Sequence, residues 1–522
     1  MNIARKFFFI FLFCFFAVVF KIYFQKIGAF GCFDDCNIFA AAQFMVKGKR
    51  LYSEIFFNHQ PLMVYLSYLI QLIFHPATIY KLVAEHRIFI LLFSFAMDIL
   101  IIVRFKWIGA GYVLFYEMTK FYFFGDRFLP EAVIAQPFAY LLGLSWNKLV
   151  KQQIYFIDFL LSGVLIWFIV FMREPYIPAA IFLYVLILWN KNFFKEKTVS
   201  LLIFFILSLV AIFTLPIHDY FYQVVSVNLS TMVPSELSSN GIFGIGFVKI
   251  FSYPLLIIYD GKWTFIRQVL IGIDIVFLIS SCFLLIFGSK QIKITIFLLF
   301  LALGLSNIRF VPPGTMFYEA FHMLEWYSLF LMSIFLTLDK IRTYKNGKKI
   351  FYLLMYLMVG ILLFVIFSPK AFIWDKVDKD TEFTTNYAHF FVYGSAIKYL
   401  ANKNDTMFVD IWDDFLYWEG NLKSSYRYSL YTPETASFEQ YRNERSSMFS
   451  LSPPDFYYTH CDNGKVLFPQ GILPAYLVNE YIELWFGGKR SCLYIKKSKL
   501  PQINTSQWDK VKSLGFYIRK KI

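Results

Sequence analysis

"FGCFDDCNIFAAAQFMVKGKRLYSEIFFNHQPL" runs from Phe30 to Leu62. Two adjacent carboxylates, Asp34 and Asp35, stand ten residues after a stretch of nearly pure Phe, Leu, Ile and Val. That stretch opens on Arg5 and Lys6 and stays apolar to Phe24. It has the outline of a signal peptide, but no small-residue cleavage site follows. It therefore reads as an uncleaved first membrane span with its N-terminus inside. The acidic pair then falls just outside the membrane.

Composition supports a membrane reading along the chain. Of 522 residues, 58% are hydrophobic, 21% aromatic and only 16% charged. Mean hydropathy is +0.55. Many apolar runs separated by short charged loops indicate a polytopic membrane protein. Of the +15 net charge, residues 370–522 supply little, with 20 basic and 17 acidic side chains. The remaining 30 basic and 18 acidic residues concentrate the excess in the apolar part. Basic excess there anchors cytoplasmic loops, and nucleic-acid binding is the weaker reading.

The basic loops set the topology. Residues 104–107, 147–153, 190–197, 289–293 and 339–349 are placed in the cytoplasm. Spans are then expected near 88–103, 108–124, 132–147, 154–172, 176–189, 200–215, 268–287, 292–308, 321–338 and 350–368, which with the first makes eleven. Residues 62–74 are short for a crossing, which needs ~20 apolar residues. Residues 242–259 are broken by Gly244, Gly246 and Pro254. Both are expected to lie at the outer interface or re-enter. The fold class is thus mainly α: a transmembrane domain over 1–369, with its first outer loop at 25–61, and an extracytoplasmic mixed α/β domain over 370–522. In that tail "TMFVDIW" reads as a strand.

The outer loops collect acids, Arg, His, Pro and aromatics, whereas the other face holds mostly Lys and Arg. "GDRFLPE" carries Asp126, Arg127 and Glu131; "REPYIP" carries Arg173 and Glu174, which could simply pair. "RFVPPGTMFYEAFHMLEWY" carries Arg309, Tyr318, Glu319, His322 and Glu325, the last two sharing a helix face. Asp98, Asp158 and Asp274 fall within expected spans without an evident basic partner in sequence; buried acids in membranes are by default functional. Cys32 with Cys36, and Cys461 with Cys492, are either disulfides facing an oxidising space or free thiols. The His residues show no HxxxH or HxH spacing, no metal-ligand set is assigned, and no Walker A motif or nucleophile elbow is present.

In the opening stretch the acids precede an alanine-rich helix, then Gly48, Tyr52, the Phe56–Phe57 pair and "NHQPL" (58–62). This order resembles the first outer loop of GT-C superfamily membrane glycosyltransferases, in the branch of aminoarabinose transferases, Rgt-type sugar transferases and relatives of protein mannosyltransferases. Asp35 stands where that branch has Glu, and Gln60 where it has the first Pro. The resemblance implies transfer of a sugar from a polyprenyl-phosphate donor to a cell-envelope acceptor, whether glycan, lipid or protein, at the outer face of the cytoplasmic membrane. It assigns the general base to Asp34, with Asp35 and Glu131 as further acids. Arg309, His59 and Arg173 are the expected donor-phosphate ligands, and Tyr52, Asn58, Asp126, Tyr318 and His322 the acceptor or sugar ligands. Some members use a divalent metal (Mg or Mn) and others do not. The rival readings are a transporter or flippase of lipid-linked sugars, and a non-catalytic envelope assembly protein. A transporter is expected to show internal repeats, and none is evident.

Overall fold

The computed structural model describes residues 3–29, 31, 34–189, 194–230, 249, 251–259, 264–307, 320–368, 376–411, 413–462, 465–467 and 472–519. The chain divides into two compact units. One comprises residues 1–27, 87–212 and 233–377; the other comprises 28–86, 213–232 and 378–522.

The first unit is helical. Helices stand where spans were expected, among them Pro130–Leu149, Phe156–Val170, Ile177–Leu188, Lys290–Ser306 and Leu324–Arg342. Among the described residues, five helices are long and apolar enough to cross a membrane: Ile79–Phe105, Phe194–Phe213, Phe265–Phe287, Ala320–Arg342 and Gly347–Phe367. The helix Leu324–Arg342 lies at the centre, packed against Trp107–Thr119, Pro130–Leu149, Phe265–Phe287 and Gly347–Phe367. Close approach there depends on small residues. A side chain at Gly143 would strike Phe105 and Met332, and one at Gly111 would strike Phe335. Ser328 ties three of these helices, donating to the Ala135 carbonyl at 2.6 Å and pairing with the Tyr112 hydroxyl at 2.7 Å.

The second unit joins the first loop to the tail. Its sheet comprises β1 (Thr406–Asp410), β2 (Lys423–Ser424), β3 (Phe456–Thr459), β6 (Tyr481–Phe486), β7 (Lys489–Lys496) and β8 (Phe516–Ile518), while β4 (Cys461–Asp462) and β5 (Lys465–Val466) form a separate ribbon. The order is β2-β1-β3-β7-β6-β8. β1 runs parallel to β2 and β3, and the remaining pairs are antiparallel. Four of the five residues of "TMFVD" are buried, as expected of a central strand covered on both faces. One face carries Phe408 and Tyr457 into an aromatic core with Tyr441, Met448 and Phe449 of the helix Glu439–Leu451. Phe56 of the first loop and Val227 belong to the same core. Phe56 also donates its amide to the Tyr428 carbonyl at 2.7 Å. On the other face Tyr393, from the helix Ala388–Leu400, packs against Tyr458, Phe486 and Phe516. Cys461 and Cys492 form a disulfide between the ribbon and β7.

Candidate active site

Asp34 and Asp35 begin the helix Asp34–Val46. Backbone amides at a helix N-terminus favour carboxylates. Asp34 is exposed and Asp35 fully buried, so the two neighbouring acids face different surroundings. The helix buries the small face Ala40–Ala41–Ala42, and Gln43 reaches the Trp418 carbonyl at 3.2 Å. Cys36, two residues after Asp34, is disulfide-bonded; Cys32 lies outside the described residues.

The rest of the loop is held by residues 220–228. Tyr52 adopts a left-handed conformation (φ 67°), is fully buried, and donates its hydroxyl to the His59 carbonyl at 2.8 Å. Gln223 donates to the Tyr52 carbonyl at 2.6 Å and accepts the Phe57 amide at 2.9 Å. Asn58 and Asn228 pair through their side chains at 3.2 Å, and Asn228 also donates to the Asn58 carbonyl at 2.6 Å. Gln60, the departure from the family pattern, accepts the Tyr220 hydroxyl at 2.9 Å. A proline there could not supply that acceptor.

In the first unit, Glu131 sits in the first turn of Pro130–Leu149, behind Pro130 at the helix start. Its carboxylate takes the Arg173 Nε at 3.1 Å and lies 3.6 Å from His322 Nδ1. Arg173 is also 3.9 Å from Glu174, so it bridges both acids rather than pairing with its neighbour alone. Tyr176 donates to the His322 carbonyl at 3.1 Å. Glu325, fully buried one turn into the next helix, lies within the fields of Glu131 and Arg173. The structure thus brings Glu131, Arg173 and His322 together. The same helices carry Lys148 and Arg342 in their last turns, so the cluster lies at the ends opposite the basic loops. Asp126 and Arg127 are buried in the preceding turn, Arg127 lying over the Phe124 ring at 5.6 Å. Arg309, Tyr318 and Glu319 lie outside the described residues.

The acids expected within spans differ in kind. Asp158 does have a basic partner. Arg104 Nε reaches it at 2.8 Å, Tyr140 donates at 3.0 Å, and it caps its own helix through the Tyr155 amide at 2.8 Å. It sits at a helix end rather than mid-span. Asp98 accepts from Gln136 and lies beside Glu117, which pairs with Lys120. Asp274 is buried with no hydrogen-bond partner among the described residues.

A second polar cluster was not anticipated from sequence. β1 and β3 are parallel neighbours, and the loops after their carboxyl ends carry Asp413 and His460. Asp413, itself left-handed (φ 59°), accepts from His460 Nδ1 at 2.6 Å and the Tyr458 hydroxyl at 2.9 Å, with His389 Nε2 at 3.7 Å. Burial works to raise its pKa, but hydrogen bonds and charge from His389 and His460 outweigh it and hold the carboxyl well below the usual range. Asp414 beside it is pushed up to about 8 by burial, with Asp413 and Glu434 adding. The only sequence signal was the pair of acids directly after a strand-like run. Among the described residues no group of three or more His, Cys, Asp or Glu is arranged to hold a metal ion.

No family model matches the chain, and no curated protein matches it. Among solved structures it is similar to the archaeal oligosaccharyltransferase AglB of Archaeoglobus fulgidus in complex with an inhibitory peptide and a dolichol-phosphate. That alignment has a TM-score of 0.46 at 11% identity, over 87% of this chain and 70% of that one. The apo form of the Archaeoglobus fulgidus oligosaccharyltransferase aligns at 0.42 and 10% identity, over 85% and 69%. The form tethered to an acceptor peptide with the NVT sequon aligns at 0.40 and 12%, over 85% and 68%.

Proposed function

We propose that this chain is an integral membrane glycosyltransferase of GT-C type with about eleven spans. It moves a sugar from a polyprenyl phosphate to a cell-envelope acceptor at the outer face of the membrane. The observation that carries the reading is the acidic pair. Asp34 is exposed at the head of a helix directly after the first apolar helix, with Asp35 buried beside it, inside an ordered first-loop motif.

In this reading Asp34 takes the proton of the acceptor hydroxyl. The acceptor oxygen bonds to the anomeric carbon. The bond from that carbon to the phosphate oxygen breaks, and the polyprenyl phosphate leaves with the electron pair. Fixed cations stabilise the leaving phosphate; Arg309 is the first candidate and Arg173, held by Glu131, the second. Tyr52 and Asn58 shape the loop that carries the base, while Asp126 and His322 are the acceptor-side candidates of the first unit. The disulfides at Cys36 and Cys461–Cys492 support an oxidising, extracytoplasmic placement for the second unit.

The test is sugar transfer by purified protein with a panel of polyprenyl-phosphate sugars. Asp34→Asn and Arg309→Ala are expected to abolish transfer at normal expression. Transfer that survives Asp34→Asn would remove Asp34 as base and leave Asp35 or Glu131. A second reading, a flippase of lipid-linked sugars, is favoured by the buried acids Asp98, Glu117 and Asp274, each with a carboxylate oxygen that has no hydrogen-bond partner among the described residues. A lipid-flipping assay on the same preparation separates the two.

A further inference from the structure

A cavity of about 550 Å³ opens within the second unit, behind the glycine turn that ends the first-loop helix. Gly48, Lys49, Arg50, Tyr65, Tyr68 and Thr214 are among the residues that line it. That volume is ample for a small-molecule headgroup. Its charge is one-sided. Lys49 and Arg50 line it, with no acid among the lining residues. Lys49 Nζ is fixed by the Ser429 hydroxyl at 2.8 Å, and Lys47, which flanks the turn without lining the cavity, places its Nζ on the Leu422 carbonyl at 3.0 Å. Both ammonium groups are pushed down to about 8, each mainly by burial. Lys423 and Lys49 add to the shift of Lys47; at Lys49, Glu54 works against it and Lys423 adds. Glu54, outside the lining, already pairs with Arg50 at 3.5 Å. An anion in the cavity would meet two lining cations and no lining acid.

The cavity has an apolar continuation. Tyr65 and Tyr68 lie on the helix Leu62–Phe74. Residues 65, 68, 69, 72 and 73 follow the i, i+3, i+4, i+7, i+8 spacing of one helix face. Beyond the tyrosines that face is Leu69, Leu72 and Ile73, which are 48%, 43% and 67% exposed. Phe213, next to the lining residue Thr214, is 83% exposed. Cations, then tyrosines, then exposed aliphatic residues is the polarity gradient of a membrane interface.

We infer that this cavity seats the phosphodiester headgroup of an anionic membrane lipid, with its acyl chains along Leu69, Leu72 and Ile73. The exposed Arg50 guanidinium and the fixed Lys49 ammonium supply the charge-assisted donors. The site does not depend on the glycosyltransferase reading.

The experiment uses the full-length protein in detergent micelles, titrated with fluorescent phosphatidylglycerol and, separately, fluorescent phosphatidylcholine, with inorganic phosphate as competitor. Saturable binding of phosphatidylglycerol alone is expected. Arg50→Gln, at an exposed position, should weaken it roughly tenfold. Glu54→Gln, which frees Arg50 and removes the opposing charge, should tighten it. Leu72→Ser with Ile73→Ser should weaken lipid binding. Equal binding of the two lipids, or no response to Arg50→Gln and Glu54→Gln, overturns the site. Displacement by inorganic phosphate as effective as by unlabelled phosphatidylglycerol overturns the lipid as its source.

Discussion

The Glu131–Arg173 pair offers the sharpest test of how charge is handled in the first unit. Both side chains are nearly inaccessible, at 1% and 6% exposure, and they meet at 3.1 Å. Removing one member of such a pair strands a buried charge, at about 3–5 kcal/mol. Two neighbours lower the figure. In Arg173→Met, His322 still lies 3.6 Å from Glu131, so the low end, about 3 kcal/mol, applies. In Glu131→Gln, Arg173 keeps Glu174 at 3.9 Å, and the loss should be smaller. Replacing both members removes the stranded charge and should restore most of the stability. At roughly 2 °C per kcal/mol, Arg173→Met should lower Tm by roughly 6 °C, with the double variant near wild type. Thermal unfolding of the three variants in detergent measures this directly. If Arg173→Met melts with wild type, the pair is not a buried ion pair and the reasoning fails. Transfer activity then separates roles: a double variant that is stable but inactive would mean these charges serve turnover rather than folding.

Other outcomes follow from the second unit and the helical bundle. Asp414, pushed up to about 8, keeps its proton when folded while an unfolded Asp gives it up near 4. Its contribution to stability is therefore complete at low pH and lost as pH rises through about 8, so Asp414→Asn should flatten the Tm–pH curve between those limits. Asp413 has the opposite sign, its carboxyl being held below the usual range, and its contribution should be lost as pH falls below about 4. The Cys461–Cys492 disulfide closes a 31-residue separation; by loop-closure entropy its reduction should cost roughly 3–4 kcal/mol, read as a lower Tm with reductant. Lys120→Met should reduce folded yield, because it leaves buried Glu117 without its cation, and adding Glu117→Gln should recover it.

The helical plan was legible because apolar runs bounded by Lys and Arg have few other readings in water. Its edges were less so. The span expected at 88–103 is part of a helix from Ile79 to Phe105, because "IYKLVAEHR" is helical without being apolar. The segment expected at 108–124 is α-helical only to Thr119 and continues as a tight turn to Phe123. Of the sheet, only the β1 run was visible. β2 has two residues, and in β3, "FYYT", every residue is buried, so no alternation marks it. Of the site, the order of the first-loop residues could be read, and Glu131, Arg173 and His322 were each singled out. Their meeting could not be read, since Glu131 and Arg173 are 42 residues apart and only packing joins them. Nor could the bond from Tyr220 to Gln60, 160 residues apart.

The buried charges of the bundle bear on the choice between enzyme and transporter. A transport pathway needs polar groups that exchange partners with a moving substrate, and so stand partly unpaired or open to water at rest. Asp158 is instead consumed by Arg104, Tyr140 and the Tyr155 amide. Lys120 is held by Glu117 and Ser94 and lies over the Tyr23 and Tyr116 rings. Gln136 joins Ser94 to Asp98 in a fully buried group, in which Asp98 Oδ2 and Glu117 Oε2 have no hydrogen-bond partner among the described residues. The paired part of this network fastens three helices at fixed rotation, which requires no motion. Asp34, by contrast, is exposed at the head of its helix. These placements agree with the chemistry proposed for the first loop. Asp274, buried without a hydrogen-bond partner among the described residues, and the unpaired oxygens of Asp98 and Glu117 are what stands on the side of transport.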